Sequence, residues 1–252
     1  MSSRALQARF GVRFEWGAIG AEQLAVASGA LVVVDVLSFA TSVSVAVEAG
    51  TRVYPSPWTH EAAAAYAEEI DAALAVGRRV AHPDSPYSLS PAALRDAPFT
   101  PRLVLPSPNG SVIAAAAGDA VVLAASLRNF TATASWLRTN GFGTPQRPAI
   151  VIAAGERWPD DSLRAAVEDM LGAGAVISVL HRLGGGSLSP EAEAAGACFE
   201  GTTDIAAAIS RCASGVELTE AGFSEDVAIA TELDKADMAA VLEDSAFVAR
   251  PA

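Results

Sequence analysis

The feature that most constrains the fold of this chain is a regular alternation of short apolar runs and helical segments. The runs are typical of buried strands, and the segments between them carry apolar residues at helical spacing. Parallel strands need a crossover segment between them, which this βαβα order supplies. We therefore predict an α/β fold with a largely parallel or mixed sheet that is covered on both faces by helices.

The individual elements can be predicted from these patterns and from glycine and proline positions. The predicted strands are 30–37, 51–55, 78–82, 102–106, 119–126 and 148–155. The predicted helices are 38–50, 60–77, 112–118, 130–141 and 161–183, the last interrupted by the GAGA sequence at 172–175. In the tail we predict helices around 190–213 and 224–242, followed by a strand-like segment at 246–251.

The length of 252 residues suits one large α/β domain spanning 1–252. The sequence TPQRP at 144–148 is the nearest feature to a linker, so two lobes with a boundary near 145 are an alternative. The glycine-rich segment LGGGSLSP at 183–190 lacks the G-x-G-x-x-G spacing and follows a helix. A dinucleotide-binding site is therefore not expected there.

The charge balance excludes several classes of partner. The net charge is −12, and Lys235 is the single lysine. Such a surface disfavours binding to nucleic acid and to anionic membranes. An anionic substrate would accordingly need a metal ion or a few well-placed arginines. The N-terminal sequence lacks the uninterrupted apolar core of a signal peptide, so we expect a cytoplasmic protein.

Cysteine and histidine give little indication of chemistry. Cys198 and Cys212 lie in alanine-rich segments without metal-ligand spacing, and the three histidines are scattered. We interpret both thiols as structural. Half of the residues are apolar, which is compatible with a homodimer interface.

Asp35 is the residue that most needs an explanation. It lies in LVVVDVLSFATS at 31–42, which otherwise reads as a buried strand entering a helix. Burying an ionised carboxylate costs several kcal/mol unless a cation or good hydrogen bonds compensate. The sequence therefore predicts a partner for Asp35.

Four polar stretches follow predicted strands, where ligands collect in open parallel sheets. They are DVLSFATS at 35–42, PSPNGS at 106–111, SLRN at 126–129 and AAGERWPDDS at 153–162. Small polar residues with exposed backbone N–H groups can cradle a phosphate, and Arg128 could grip it bidentately. We expect these stretches to form one site.

Other acids could complete a metal site near Asp35. Asp161 and Glu168 are predicted on one helical face, with Asp169 about a quarter-turn away. Asp226 precedes another apolar stretch near the C-terminus. Oxygen ligands beside a phosphate favour Mg²⁺, which typically uses one or two carboxylates together with substrate oxygens and water.

The ordered set of motifs resembles the 2-phosphosulpholactate phosphatase family, the ComB-like proteins. The resemblance extends over about 31–233 and rests on five segments: VVVDVLSFATSVSVAVEAG, SPNGSVIAAAA, ASLRNFTATASWL, IVIAAGERWPDDSLRAAVEDMLGAGAVISVL and AGFSEDVAIATELD. It implies a three-layer α/β/α fold and a Mg²⁺-dependent phosphatase. The implied reaction hydrolyses the phosphate ester of 2-phosphosulpholactate to 3-sulpholactate, a step of coenzyme M biosynthesis.

If the chain is such an enzyme, we assign roles to individual residues as a hypothesis. The metal ligands are Asp35 with Glu168, Asp169 or Asp226, directly or through water. The catalytic residues are Asp35, Glu168 and Arg128. The substrate-binding residues are Ser38, Thr41, Asn109, Gly110, Ser111 and Asn129. Either a metal-activated water or a carboxylate could attack the phosphorus, and the sequence does not separate the two.

Three departures from the family pattern affect the expected anion site. The motif D-V-L-R-A-T-T carries Ser38 and Phe39 where arginine and alanine would stand. The T-T-N-G-T turn appears as SPNGS, and Arg78 replaces an acid in a glycine-glutamate segment. Losing one cation and gaining another nearby predicts a rearranged anion pocket, a different substrate or loss of activity.

Two alternatives to this function follow from the residues. A haloacid-dehalogenase-type aspartyl phosphatase would use an acid at the end of an apolar strand, as at Asp35, with Thr41 following. Such enzymes carry D-x-D, however, and position 37 is leucine. The second alternative is a non-catalytic anion-binding protein on the same scaffold, which the changes at Ser38 and Arg78 motivate.

Overall fold

The computed structural model describes residues 6–57, 59–82 and 85–252. The strands within these ranges are β1 (Val12–Trp16), β2 (Ala30–Val34), β3 (Arg52–Ser56), β4 (Ala73–Leu74), β5 (Arg102–Pro106), β6 (Val121–Ala125), β7 (Ala149–Ala153), β8 (Glu156–Arg157), β9 (Leu163–Arg164), β10 (Met238–Glu243) and β11 (Ala246–Pro251). Nine of them form one sheet in the order β1-β7-β2-β6-β10-β11-β3-β5-β4, and β8 pairs with β9.

The α-helices in the described part of the chain are α1 (Gly17–Leu24), α2 (Phe39–Glu48), α3 (His60–Glu69), α4 (Pro91–Asp96), α5 (Gly110–Ala115), α6 (Phe130–Thr139), α7 (Val167–Arg182), α8 (Pro190–Gly201), α9 (Ile205–Arg211), α10 (Ala213–Glu220) and α11 (Ser224–Ala230). A short 3-10 helix covers Arg78–Val80. None of the helices in the described ranges is long and apolar enough to cross a membrane.

The large sheet is mixed. The neighbours β1, β7, β2 and β6 are parallel, as are β3, β5 and β4. The antiparallel hairpin of β10 and β11 joins these two parallel blocks through β6 and β3. Its turn residues Asp244 and Ser245 have φ of +47° and +65°, as a tight hairpin turn requires.

Apolar side chains cover both faces of the sheet, because alternate residues of each buried strand point to opposite sides. On one face Val32 and Val34 join an apolar cluster with residues of α6, α7, α8 and α9. On the other face Leu31 and Val33 join a cluster with residues of α1, α2 and α5. The predicted three-layer α/β/α fold with a mixed sheet is confirmed.

Several predicted boundaries were wrong in the first half of the chain. Strand β1 and helix α1 were not predicted from the N-terminal sequence. The helix predicted over 60–77 ends at Glu69, since Asp71 takes a φ of +51° and strand β4 follows. The strand predicted over 78–82 begins instead with the 3-10 helix.

The second half differs at three places. Asp161 has a φ of +68° and lies in the turn between β8 and β9, so it does not share a helix face with Glu168. Helix α7 runs through GAGA without interruption, and a glycine stands at 172 because a Cβ there would come within 2.7 Å of Val36. The predicted helix over 190–213 is divided between α8 and α9, and the predicted helix over 224–242 ends at Ala230.

The predicted strand at 246–251 is confirmed as β11. Strand β7, which follows residue 145, pairs with β1 on one side and β2 on the other. The chain on the two sides of 145 therefore contributes to the same sheet.

Candidate active site

Asp35 follows β2 directly and is buried, and its partners are backbone amides. Its Oδ1 accepts a hydrogen bond from the N–H of Phe39 at 3.0 Å. Its Oδ2 accepts one from the N–H of Gly110 at 3.1 Å. Although β2 and β5 lie five positions apart in the sheet, the turn after β5 thus reaches the end of β2. The structure brings the stretches DVLSFATS and PSPNGS together, as predicted.

Asp169 links the same region to the end of β7. It lies in the first turn of α7 and is buried. Its Oδ1 accepts from the N–H of Val36 at 2.7 Å, and its Oδ2 accepts from the N–H of Gly155 at 2.8 Å. One carboxylate therefore holds together the two loops that follow β2 and β7.

Glu168 is buried beside Asp169 and contacts a thiol. The Sγ of Cys212, which precedes α10, lies 3.2 Å from its Oε2 and donates to it. Burial and the neighbouring Glu168 raise the pKa of Cys212 to about 12, so the thiol keeps its proton at neutral pH. Cys212 was predicted to be structural, and the structure places it against a predicted catalytic acid.

Glu156 is a fourth acid that sequence reasoning did not single out. It starts β8, immediately after the loop that follows β7, and its Oε2 accepts from Nδ2 of Asn109 at 3.3 Å. The signal was present, because Glu156 lies in the stretch AAGERWPDDS that was predicted to contribute to the site. Only its role was missed.

Asp35, Glu156, Glu168 and Asp169 form what we term the acidic cluster. Desolvation raises the pKa of Asp35 to about 6 against the opposing effects of its two backbone donors and Arg78. Burial, then repulsion from Asp35 and Glu168, raises the pKa of Glu156 to about 7. Burial and the same two charges raise the pKa of Asp169 well above its ordinary value. The cluster therefore favours bound protons or a bound cation.

A cavity of about 900 Å³ borders this cluster at Glu156, which is the member of the cluster among its lining residues. Ser107, Leu37, Arg78 and Arg79 also line it. Its size is within the usual range for small-molecule sites. The structure thus provides space for a small ligand next to Glu156.

Most of the predicted substrate-binding groups are engaged in internal hydrogen bonds. The hydroxyl of Thr41 donates to the carbonyl of Val36 at 2.7 Å, and that of Ser111 donates to the carbonyl of Leu105 at 3.2 Å. The N–H of Gly110 is shared between Asp35 and the hydroxyl of Ser107. These groups shape the loops and leave few donors for a phosphate.

Ser38 also takes part in an internal hydrogen bond, and its partner is a cation. The Nη2 of Arg78 donates to the Oγ of Ser38. Two departures from the family pattern, serine at 38 and arginine at 78, therefore meet in space. A positive charge therefore lies beside position 38, supplied by a different segment from the one that carries it in the family motif.

Asp226 was predicted as a metal ligand, and the structure places it with different partners. Its Oδ2 accepts from Nε of Arg78 at 3.0 Å, and its Oδ1 accepts from the hydroxyl of Ser90 and the N–H of Ala92. Three donors already surround this buried carboxylate. The arrangement favours a role in holding Arg78 over metal binding.

Arg128 and Asn129 do not join the acidic cluster. The Arg128 guanidinium pairs with Glu48 at 2.8 Å and Glu232 at 3.0 Å. This ion-paired group borders another cavity, of about 560 Å³. The side chain of Asn129 accepts from the N–H of Ser126 and donates to the carbonyl of Ala124. Of the four stretches expected to form one site, SLRN is the one that lies elsewhere.

The donor set of the acidic cluster suits Mg²⁺ in charge and in ligand type. Over 6–57, 59–82 and 85–252, no three His, Cys, Asp or Glu side chains are arranged to hold a metal ion by themselves. Mg²⁺ commonly takes one or two carboxylates and completes its shell with water and substrate oxygens. Each oxygen of Asp35 and Asp169 accepts a single N–H, which leaves lone pairs for a ligand.

Comparison with protein families gave one match over most of the chain. The family model described as 2-phosphosulpholactate phosphatase matches residues 20–245. A comparison with curated proteins found no match. The matched range contains every member of the acidic cluster together with Arg78 and Asp226.

Proposed function

Because the chain belongs to the 2-phosphosulpholactate phosphatase family, we propose that it is a Mg²⁺-dependent phosphoric monoester hydrolase. The proposed substrate is the phosphate monoester of a small acidic 2-hydroxy acid, with 2-phosphosulpholactate as the first candidate. The observation that carries this proposal is the acidic cluster beside a ligand-sized cavity, within the range that the family model matches.

The proposed metal ligands are Asp35, Glu168 and Asp169, of which one or two bind directly and the rest through water, since no three such side chains in the described ranges are arranged to hold the ion. When bound there, Mg²⁺ would neutralise phosphoryl oxygens and lower the pKa of a coordinated water. The two backbone donors to Asp35 and the two to Asp169 fix the directions of these carboxylates. Such fixed positions lower the reorganisation that the reaction requires.

Glu156 is suited to move a proton. It lines the cavity, and its pKa of about 7 lets it accept or release a proton near neutral pH. Asn109 holds its Oε2, which leaves Oε1 for a water or a leaving-group oxygen. We assign Glu156 as the general acid or base of the reaction.

Direct attack by water and attack by a carboxylate remain distinct versions of this proposal. Asp35 is the candidate nucleophile in the second version, which would form an acyl phosphate. Rapid quenching during turnover, followed by borohydride reduction, would trap that intermediate. Recovery of a reduced residue at position 35 would exclude direct water attack.

The proposal is tested by orthophosphate release from a panel of phosphorylated 2-hydroxy acids. We expect turnover of 2-phosphosulpholactate, 2-phospholactate or 2-phosphoglycolate that requires Mg²⁺ and stops when EDTA is added. Phosphoserine, which carries an ammonium group, is the specificity control. Absence of release from every ester at saturating Mg²⁺ would contradict the proposal.

A second candidate is a non-catalytic anion-binding protein on the same scaffold. The observation that favours it is the placement of Arg78 against Ser38 and Asp226, which differs from the family motif. Thermal stabilisation by the same esters without their hydrolysis would support binding alone.

A further inference from the structure

The cavity beside the acidic cluster needs a cationic group if it is to hold an anion. Repulsion from the cluster opposes the approach of any negatively charged ligand. Arg128 is held by ion pairs to Glu48 and Glu232, and it borders a different cavity. The arginines that line the cavity in the described part of the chain are Arg78 and Arg79, both in the 3-10 helix.

Three contacts hold the guanidinium of Arg78 in one place. Its Nε donates to Asp226 at 3.0 Å, and its Nη2 donates to Ser38. The ring centre of Phe223 lies 5.9 Å from its central carbon. Because these contacts fix both ends of the planar group, little conformational freedom would be lost when a ligand binds.

Asp226 is itself rigidly placed. Its side chain is 1% exposed, and it accepts hydrogen bonds from the hydroxyl of Ser90 and the N–H of Ala92 at the start of α4. A buried carboxylate with these partners keeps a fixed direction. Through Asp226, the positions of α4 and α11 therefore determine where the guanidinium of Arg78 lies.

Arg78 still has hydrogen-bonding capacity toward a ligand. An arginine carries five N–H donors. Asp226 and Ser38 engage one each, and Nη1 makes no hydrogen bond with the described residues. The side chain is 17% exposed while lining the cavity. The ion pair with Asp226 does not require that the guanidinium of Arg78 also lines the cavity. Its remaining N–H donors are therefore available to a ligand there.

We infer that Arg78 is the anion-binding side chain of the cavity and that Asp226 is its positioning residue. The ligand chemistry is a tetrahedral oxyanion, the phosphoryl group of the substrate or the orthophosphate product, which matches the fork of a guanidinium. This inference rests on the proposed function for the identity of the substrate. It assigns to Arg78 the role that the sequence had suggested for Arg128.

The experiment measures binding of inorganic orthophosphate by calorimetry in the presence of Mg²⁺ at constant ionic strength. The variants are Arg78→Gln, Arg78→Lys, Asp226→Asn and the double variant R78Q/D226N. Arg211→Gln is the matched control, because this substitution removes the same charge and the side chain of Arg211, among the described residues, bonds to a carbonyl of its own helix. Circular dichroism and the unfolding midpoint verify that each variant folds.

We expect Arg78→Gln to weaken orthophosphate binding by tenfold or more, and Arg78→Lys by less, since lysine keeps the charge and loses the fork. Arg211→Gln should bind as the wild type does. Asp226→Asn should weaken binding in the wild-type background and have no further effect in the Arg78→Gln background. That non-additivity distinguishes positioning of Arg78 from general destabilisation.

Kinetics with any ester that is turned over add a second readout. Loss of Arg78 should raise KM by tenfold or more and change kcat by less. Equal orthophosphate affinity of the wild type and Arg78→Gln, or no binding by the wild type at millimolar concentrations, would overturn the inference. If binding depends on Arg78 while no ester is hydrolysed, the inference stands and the proposed phosphatase activity fails.

Discussion

The acidic cluster and the group around Arg128 use charge in opposite ways. In the Arg128 cluster, which we define as Arg128, Arg95, Glu48 and Glu232, each charge has a partner of the opposite sign. In the acidic cluster, four carboxyls lie together and the pKa values of three are raised. The first arrangement is complete within the chain, whereas the second requires protons or a ligand.

This difference indicates that the buried charge of the Arg128 cluster is structural and that the buried charge of the acidic cluster is functional. An arginine that is 1% exposed and bonded to two carboxylates ties together α2 and the segment after α11. Neighbouring carboxyls repel one another when they ionise, and a bound cation can offset that repulsion. Altering one charge should therefore have opposite consequences in the two clusters.

The largest effect is expected from Asp35→Asn. The amide keeps the shape of the side chain and removes the negative charge that the proposed Mg²⁺ site needs. We expect a loss of about 100-fold or more in kcat/KM for orthophosphate release, because the fixed charges of such a site supply a large share of catalysis. Steady-state kinetics at saturating Mg²⁺ measure the loss.

Asp119→Asn is the matched control for this variant. Asp119 is exposed and precedes β6, away from the cavity-lining residues. Asp119→Asn removes one negative charge, as Asp35→Asn does, and we expect it to leave turnover unchanged. Similar kinetics for both variants would show that the acidic cluster is not the site of reaction.

The next largest effect is expected from Arg128→Met, and it should fall on stability. Methionine keeps much of the buried stem but loses the bonds to Glu48 and Glu232. Hydrogen bonds to charged groups are worth about 1.5–3 kcal/mol, and both glutamates can be rehydrated because they are partly exposed. We expect the free energy of unfolding to fall by about 2 kcal/mol, as measured with urea, with unchanged kcat for the folded protein.

Arg128→Met tests directly whether the Arg128 cluster is structural and the acidic cluster is the site of reaction. The sequence suggested that Arg128 grips the phosphate, whereas its contacts indicate a structural role. A kcat/KM reduced by more than tenfold in a fully folded Arg128→Met protein would return Arg128 to the active site.

The sequence predicted the fold class and much of the site for identifiable reasons. Buried parallel strands read as continuous apolar runs, and ligands collect at their carboxyl ends, so the loops holding Asp35, Gly110 and Gly155 could be expected to meet. They do meet, through hydrogen bonds to Asp35 and Asp169. The same rule failed for SLRN, because it gives no information about the direction of a long side chain.

The misplaced elements also have physical causes. Alanine-rich sequence such as 60–77 has high helix propensity throughout, yet tertiary pairing of Ala73 and Leu74 with β5 overrides it. Asp226 was judged from its helix alone, whereas its partner Arg78 lies 148 positions away. Contacts over such separations are not encoded in local periodicity.

A smaller effect concerns pH and should again differ between the clusters. A carboxyl whose pKa is raised by folding adds stability below its ordinary pKa, and this is lost as the pH rises through the folded value. The pKa values of about 6 for Asp35 and about 7 for Glu156 therefore predict falling stability between about pH 4 and 8 without Mg²⁺. Glu232 has a lowered pKa because of Arg95 and Arg128, so its contribution is lost toward acid.

Glu156→Gln tests the predicted loss of stability of the acidic cluster as the pH rises. Glutamine can still accept from Asn109 through its oxygen and cannot ionise. We expect the variant to gain about 1–2 kcal/mol at pH 8, and less at pH 5, after discounting the shift for partial exposure. Urea unfolding in EDTA at the two pH values measures the difference. An equal change at both would mean that ionisation of Glu156 is not the source of the instability.

The smallest effect is expected at Cys212, where the acidic cluster obtains one of its few side-chain donors. The thiol donates to Oε2 of Glu168 and accepts from the N–H of Gly215 at 3.3 Å. Serine preserves the donor, so Cys212→Ser should keep kcat within about threefold, whereas Cys212→Ala removes about 1 kcal/mol of interaction and should lower kcat several-fold. Equal losses in both variants would indicate that packing of the sulfur, not its hydrogen bond, orients Glu168. In that case Asp35, Glu168 and Asp169 would be oriented by backbone donors and packing, in contrast to the side-chain ion pairs around Arg128.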